Sequence, residues 1–115
     1  YLGGVVSYSN DMKMKTLGVQ ENTLQEFGAV SKQTATEMAQ GVRDLFGSDL
    51  AIAVTGIAGP GGGTAEKPVG LVYITLVHND TVWAKEFKFF TDRKLNKQLS
   101  SQVALNMVRI HLLNG

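Results

Sequence analysis

An α/β domain, with a mixed sheet covered by helices on both faces, is the fold class that this sequence predicts. Three observations carry the prediction. The apolar run Leu50–Val54 ends in Thr55 and breaks into a loop with six glycines between Gly56 and Gly70, the mark of a buried strand bounded by a turn. Between Lys32 and Phe46, apolar residues recur at three- and four-residue steps, the period of a helix with one buried face. Two runs rich in β-branched and aromatic residues, Val69–His78 and Thr81–Phe90, are joined by Asn79-Asp80 and read as a hairpin. One domain spanning 1–115 accounts for the length, with no internal repeat and no linker.

Taken in order, Gly4–Tyr8 reads as a strand, and the opening looks like a strand already in progress, with no initiator Met. The expectation is a chain preceded by more protein. Ser9 or Asn10 can cap a short helix over Asp11–Leu17, because either side chain can accept from the open N–H groups of a first turn. Gly18 supplies a left-handed stop. A second short helix, Glu21–Phe27, stops at Gly28 in the same way. Ser31 caps Lys32–Phe46, whose buried face is Ala35, Met38, Ala39, Val42, Leu45 and Phe46, and Gly47 ends it. The strand Leu50–Val54 is expected to be buried on both faces. On the second hairpin run neither face is clean, since Glu86 and Lys88 interrupt one and Lys85 the other, so this strand belongs at a sheet edge. Asp92 can cap a last helix, Lys94–Leu113, with Leu95, Leu99, Val103, Met107 and Ile110 as its buried stripe.

Composition narrows the function classes. A hydrophobic fraction of 43% and a charged fraction of 18% are ordinary for a globular protein. The eleven basic residues are scattered and the net charge is +1, so no basic stripe for nucleic acid exists. No apolar run approaches the roughly 20 residues of a membrane span, and no signal peptide opens the chain. Without cysteine there is neither a disulfide scaffold nor a thiolate metal site. A cytoplasmic address is expected.

The glycine loop is where a ligand can approach the backbone closely, and its N–H groups can form a nest for an anion or an oxyanion. It is not a phosphate-binding P-loop, because Lys67 follows Glu66 and precedes Pro68, and no helix follows. The dinucleotide fingerprint fails for the same reason. Neither His78 nor His111 has a Ser or carboxylate motif beside it, and each reads as a boundary residue. What remains is Tyr8-Ser-Asn-Asp-Met-Lys13, which leaves a strand and enters a helix. There Lys13 and Lys15 are turned about 200° from each other, so at most one can face a site. A lysine beside an apolar wall can lose its proton near neutral pH and serve as base for a Ser hydroxyl.

YSNDMK, then GVQENTLQEFGAVS, then AVTGIAGPGGGTAEKPVG resemble the successive signatures of the CinA C-terminal family, the nicotinamide-nucleotide amidases. The likeness runs from Gly3 to about Tyr73, with a weaker collinear tail to Leu113. It implies a three-layer α/β/α domain, usually dimeric and metal-free, with no cofactor. The implied reaction is hydrolysis of nicotinamide mononucleotide to nicotinic acid mononucleotide and ammonia by a Ser–Lys type mechanism. The family's base maps onto Lys13, with Tyr8 as the accompanying tyrosine and Asn10 as the asparagine of that motif. The stretch expected to line the substrate pocket maps onto Thr55, Gly56, Ile57, Ala58, Gly59, Gly61 and Gly62. The family's Ser lies in an Ala-Glu-Ser-Cys-Thr-Gly-Gly motif that this sequence does not contain, as it does not contain the strand and helix around it. Two other classes stay open: a nucleotide-binding or regulatory module without turnover, and a fragment whose partner piece carries the Ser.

Overall fold

The structure, a computed structural model, describes residues 10–57, 64, 67–89 and 93–114. Its elements run α1 (Asn10–Leu17), α2 (Glu21–Phe27), α3 (Lys32–Phe46), β1 (Leu50–Gly56), β2 (Leu71–His78), β3 (Thr81–Lys88) and α4 (Arg93–Asn114). The strand read at 4–8 and the caps Ser9 and Asp92 lie outside the described residues. The strands form one sheet in the order β1-β2-β3, antiparallel at both junctions. β2 is central and buried along nearly its whole length. β3 lies at the edge, as its mixed faces require.

Strand alternation sorts the core into two clusters on the two faces of the sheet. Ala51, Ala53 and Val77 pack with Leu17, Val19, Leu24, Met38 and Ala39 from the α1–α3 side. Val72, Ile74 and Leu76 pack with Ala104 and Met107 of α4, flanked by Leu50, Ile52, Trp83 and Phe87. Helices therefore cover both faces, giving the α/β/α layering. On the α3 side Thr75, fully buried, meets Thr36 of α3 across 3.3 Å between hydroxyl oxygens. The α4 side is tied at the strand end by His78 Nδ1 and His111 Nε2, 2.7 Å apart with their rings edge to face. The two histidines thus pair across the β2–α4 boundary, a contact that their sequence positions do not announce.

Local signals explain most boundaries. Ser31 Oγ accepts from Thr34 N–H at 3.1 Å, and Gly47 closes α3 in the left-handed region. Asn79 takes φ 53° in the two-residue turn that pairs His78 with Thr81, as a tight hairpin demands. Four expectations need correction. Leu45 is 53% exposed; at 100° per residue it lies about 60° from Val42 and about 20° beyond Met38, past the rim of the buried stripe. β1 is not buried on both faces: α4 reaches Leu50 and Ile52 but leaves Val54 exposed. Gly28 has positive φ but ψ 171°, so the chain leaves α2 extended and not in a left-handed turn. Finally, β2 begins at Leu71 and not Val69, because Leu71 N–H bonds Pro68 O and Gly70 N–H bonds Ile57 O, making 68–70 a turn.

Candidate functional site

Lys13 is one of the few charged or polar side chains in the core, at 7% exposure. Burial removes water from its ammonium and lowers its pKa below the ordinary 10.5. Two residues on, Lys15 points out to solvent and pairs with Asp11 at 3.1 Å. The half-turn between them separates one buried amine from one solvated one, as the helical period requires. Asn10 opens α1; Tyr8 lies outside the described residues.

α1 is a short, polar helix that its own propensity would not hold in place. Three features fix it. Leu17 and Val19 are buried in the α1–α3 core. At its C-terminus Gly18 takes φ 71°, its N–H donating to Met14 O, while Val19 N–H donates to the carbonyl of Lys13 itself at 3.1 Å. Gly41, in the middle of α3, lets α1 approach so closely that a side-chain carbon there would sit 1.8 Å from Leu17 O. Gly41 escapes a search for reactive residues. Its only sequence signal is a lone glycine inside an otherwise sound helical pattern, which usually marks a packing reason.

The second part of the site is the end of β1. Thr55 is buried, on the same sheet face as Ala51 and Ala53, and its hydroxyl donates to Ala29 O at 2.7 Å. Its side chain and helix α1 thus lie on the same side of the sheet. Gly56 is glycine for a reason internal to the fold: a Cβ would come within 2.8 Å of Leu71 O and of Val72. Ile57 closes the base of the loop, donating to Leu71 O at 2.9 Å and accepting from Gly70 N–H at 2.7 Å. Its N–H is therefore committed to the neighbouring strand and is not an oxyanion donor. Ala58, Gly59, Gly61 and Gly62 lie outside the described residues. On the return leg, Thr64 and Lys67 form a small closed turn, Thr64 N–H to Lys67 O at 2.9 Å and Lys67 N–H to Thr64 Oγ1 at 3.0 Å.

Chemically, this arrangement offers one desolvated amine and a glycine loop with a firmly built base. Among the described residues no group of three His, Asp or Glu side chains is placed to hold a metal ion, and no helix is long and apolar enough to cross a membrane.

The sequence matches the model of the CinA C-terminal domain over residues 1–112. It is 49% identical to a CinA-like protein of Syntrophomonas wolfei over 115 residues, covering 100% of this chain and 28% of that protein. A CinA-like protein of Chloroherpeton thalassium is 52% identical, over 97% of this chain and 27% of its own length. The chain thus spans little more than a quarter of the length of these curated relatives. Among solved structures it is similar to the competence/damage inducible protein CihA from Agrobacterium tumefaciens, with TM-score 0.88 and 43% identity over 90% of this chain and 64% of that one. A CinA superfamily protein from Escherichia coli superposes with TM-score 0.83 at 31% identity, over 87% of this chain and 58% of that one.

Proposed function

This chain belongs to the CinA C-terminal domain family, and we propose that it carries the general base and part of the substrate pocket of a nicotinamide mononucleotide amidohydrolase. The observation that supports the reading is Lys13, a lysine taken almost wholly out of water and held with a lowered pKa. A neutral amine is what a Ser hydroxyl needs as its proton acceptor.

In this mechanism the Ser of the family's upstream segment attacks the carboxamide carbon while Lys13 Nζ takes its proton. Collapse of the tetrahedral intermediate breaks the C–N bond, and Lys13 returns the proton to the departing ammonia. Water, deprotonated by the same amine, then cleaves the acyl-enzyme to give nicotinic acid mononucleotide. Oxyanion donors come from the Ser segment or from loop N–H groups other than that of Ile57, and one such donor typically supplies about 3 kcal/mol. The substrate phosphate is the natural occupant of a glycine nest. A homodimer that works without a metal goes with this reading.

The test is ammonia release from nicotinamide mononucleotide, with nicotinic acid mononucleotide identified by chromatography, by the protein with the family's Ser segment joined upstream. Turnover is expected there and none from the 115 residues alone, because their sequence does not contain the family's Ser motif. Nucleotide binding without turnover by the joined protein would instead favour a binding module. Neither binding nor turnover would end the reading.

A further inference from the structure

Three consecutive backbone carbonyls in the connection from α2 to α3 are each taken by a side chain. Phe27 O accepts from Lys67 Nζ. Gly28 O accepts from Ser31 Oγ at 3.0 Å and Thr34 Oγ1 at 2.7 Å. Ala29 O accepts from Thr55 Oγ1 at 2.7 Å. Thr55 enters the glycine loop and Lys67 leaves it, so both legs of the loop are fastened to one turn, on carbonyls two residues apart.

Other details are fitted to the Lys67 contact. A side-chain carbon at Gly28 would lie 2.7 Å from Lys67 Nζ, and φ 82° with ψ 171° is a backbone state essentially confined to glycine. Phe27 ends α2, where exposed carbonyls favour a cation. The Lys67 backbone is in turn locked to Thr64 through two hydrogen bonds. The ammonium therefore sets the position of the return leg, and not merely that of its own side chain.

We propose that Lys67 is a positioning residue of the substrate site: its charge-assisted bond to Phe27 O holds the return leg at Thr64 and Lys67 against the turn that also holds Thr55. The effect on substrate rests on the reading of the loop as pocket lining; the effect on the loop does not. A residue that merely caps α2 would change stability and leave substrate affinity alone.

The experiment compares Lys67→Met, which keeps the apolar stem and loses the donor, with Lys67→Arg, which keeps a donor. Both are made in the protein bearing the Ser segment. Losing a hydrogen bond to a charged group is expected to raise KM for nicotinamide mononucleotide about tenfold in Lys67→Met. kcat should stay within about threefold, and Lys67→Arg should recover most of the KM. Amide hydrogen exchange at Thr64, read in the same proteins without substrate, should quicken about tenfold in Lys67→Met and return towards the original rate in Lys67→Arg. Unchanged exchange at Thr64 in a folded Lys67→Met overturns the proposal, whatever the activity. Faster exchange in a protein that never turns over the nucleotide upholds the loop attachment and refutes the amidase reading instead. Faster exchange with KM unmoved in an active enzyme overturns the link to substrate.

Discussion

Replacing Gly41 with alanine should be harmful even though alanine is the better helix former. Gly→Ala inside a helix gains about 1 kcal/mol of propensity. Against this, the new Cβ would lie 1.8 Å from Leu17 O and 2.6 Å from its carbonyl carbon, where contacts under 3.0 Å essentially never occur. The last turn of α1 must retreat by at least 1.2 Å (3.0 less 1.8). Because the obstacle is backbone and not the tip of a flexible side chain, the cost belongs at the upper end of the 1–3 kcal/mol typical of overpacking, about 3 kcal/mol. The net loss is then about 2 kcal/mol, a fall in Tm of roughly 4–8 °C once the Ser segment is joined. α1 also carries Lys13, and a misplacement near 1 Å can cost about 10²-fold in rate. A circular-dichroism melt and steady-state ammonia release, both on the protein with the Ser segment, measure the two effects. A Gly41→Ala variant that melts at or above the original temperature with full activity would refute the close-approach reasoning.

Other expectations follow from the same site. Lys13→Met should abolish turnover, and its stability relative to the original protein should depend on pH. The pH dependence has a definite sign. The folded-state pKa of Lys13 lies below its unfolded value of 10.5, so between the two the unfolded chain binds more protons and stability of the original protein rises with pH. The stability of Lys13→Met relative to the original protein should therefore fall as pH climbs towards 10.5; denaturant melts at several pH values would show it, and a constant difference would contradict it. Gly56→Val should lower Tm together with activity, since its side chain would strike Leu71 O and Val72 and not a ligand; lost activity with an unchanged melt would place Gly56 against substrate.

Much of this fold was legible because local chemistry and tertiary packing agree. Ser31 and Gly47 bracket α3 on either side of an amphipathic run, and Asn79-Asp80 forces a two-residue hairpin wherever the flanking strands go. Leu45 misled because a three-residue step from Val42 looks helical in a list but drifts off the buried stripe in space. Lys13 could be singled out by its phase relative to Lys15, yet only the packed structure shows that it is the buried one of the two. The turn at 27–29 was invisible for a different reason. Its partners Lys67, Ser31, Thr34 and Thr55 are spread over more than half the interval from α2 to β2 and meet only through backbone carbonyls, which carry no sequence identity. Gly41 needed knowledge of which helix lies across it.

The central claim is that Lys13, and not its neighbour, is the base of an amide hydrolysis. Its most direct test is the kcat for ammonia release from nicotinamide mononucleotide by Lys13→Ala and Lys15→Ala, side by side, in the protein with the Ser segment. Lys13→Ala should fall by about 10²–10⁴ with substrate binding little changed, the loss typical of removing a general base. Lys15→Ala, which gives up only a solvated pair with Asp11, should stay within about twofold. Equal losses from the two, or a Lys13→Ala enzyme as fast as the original, would contradict the account.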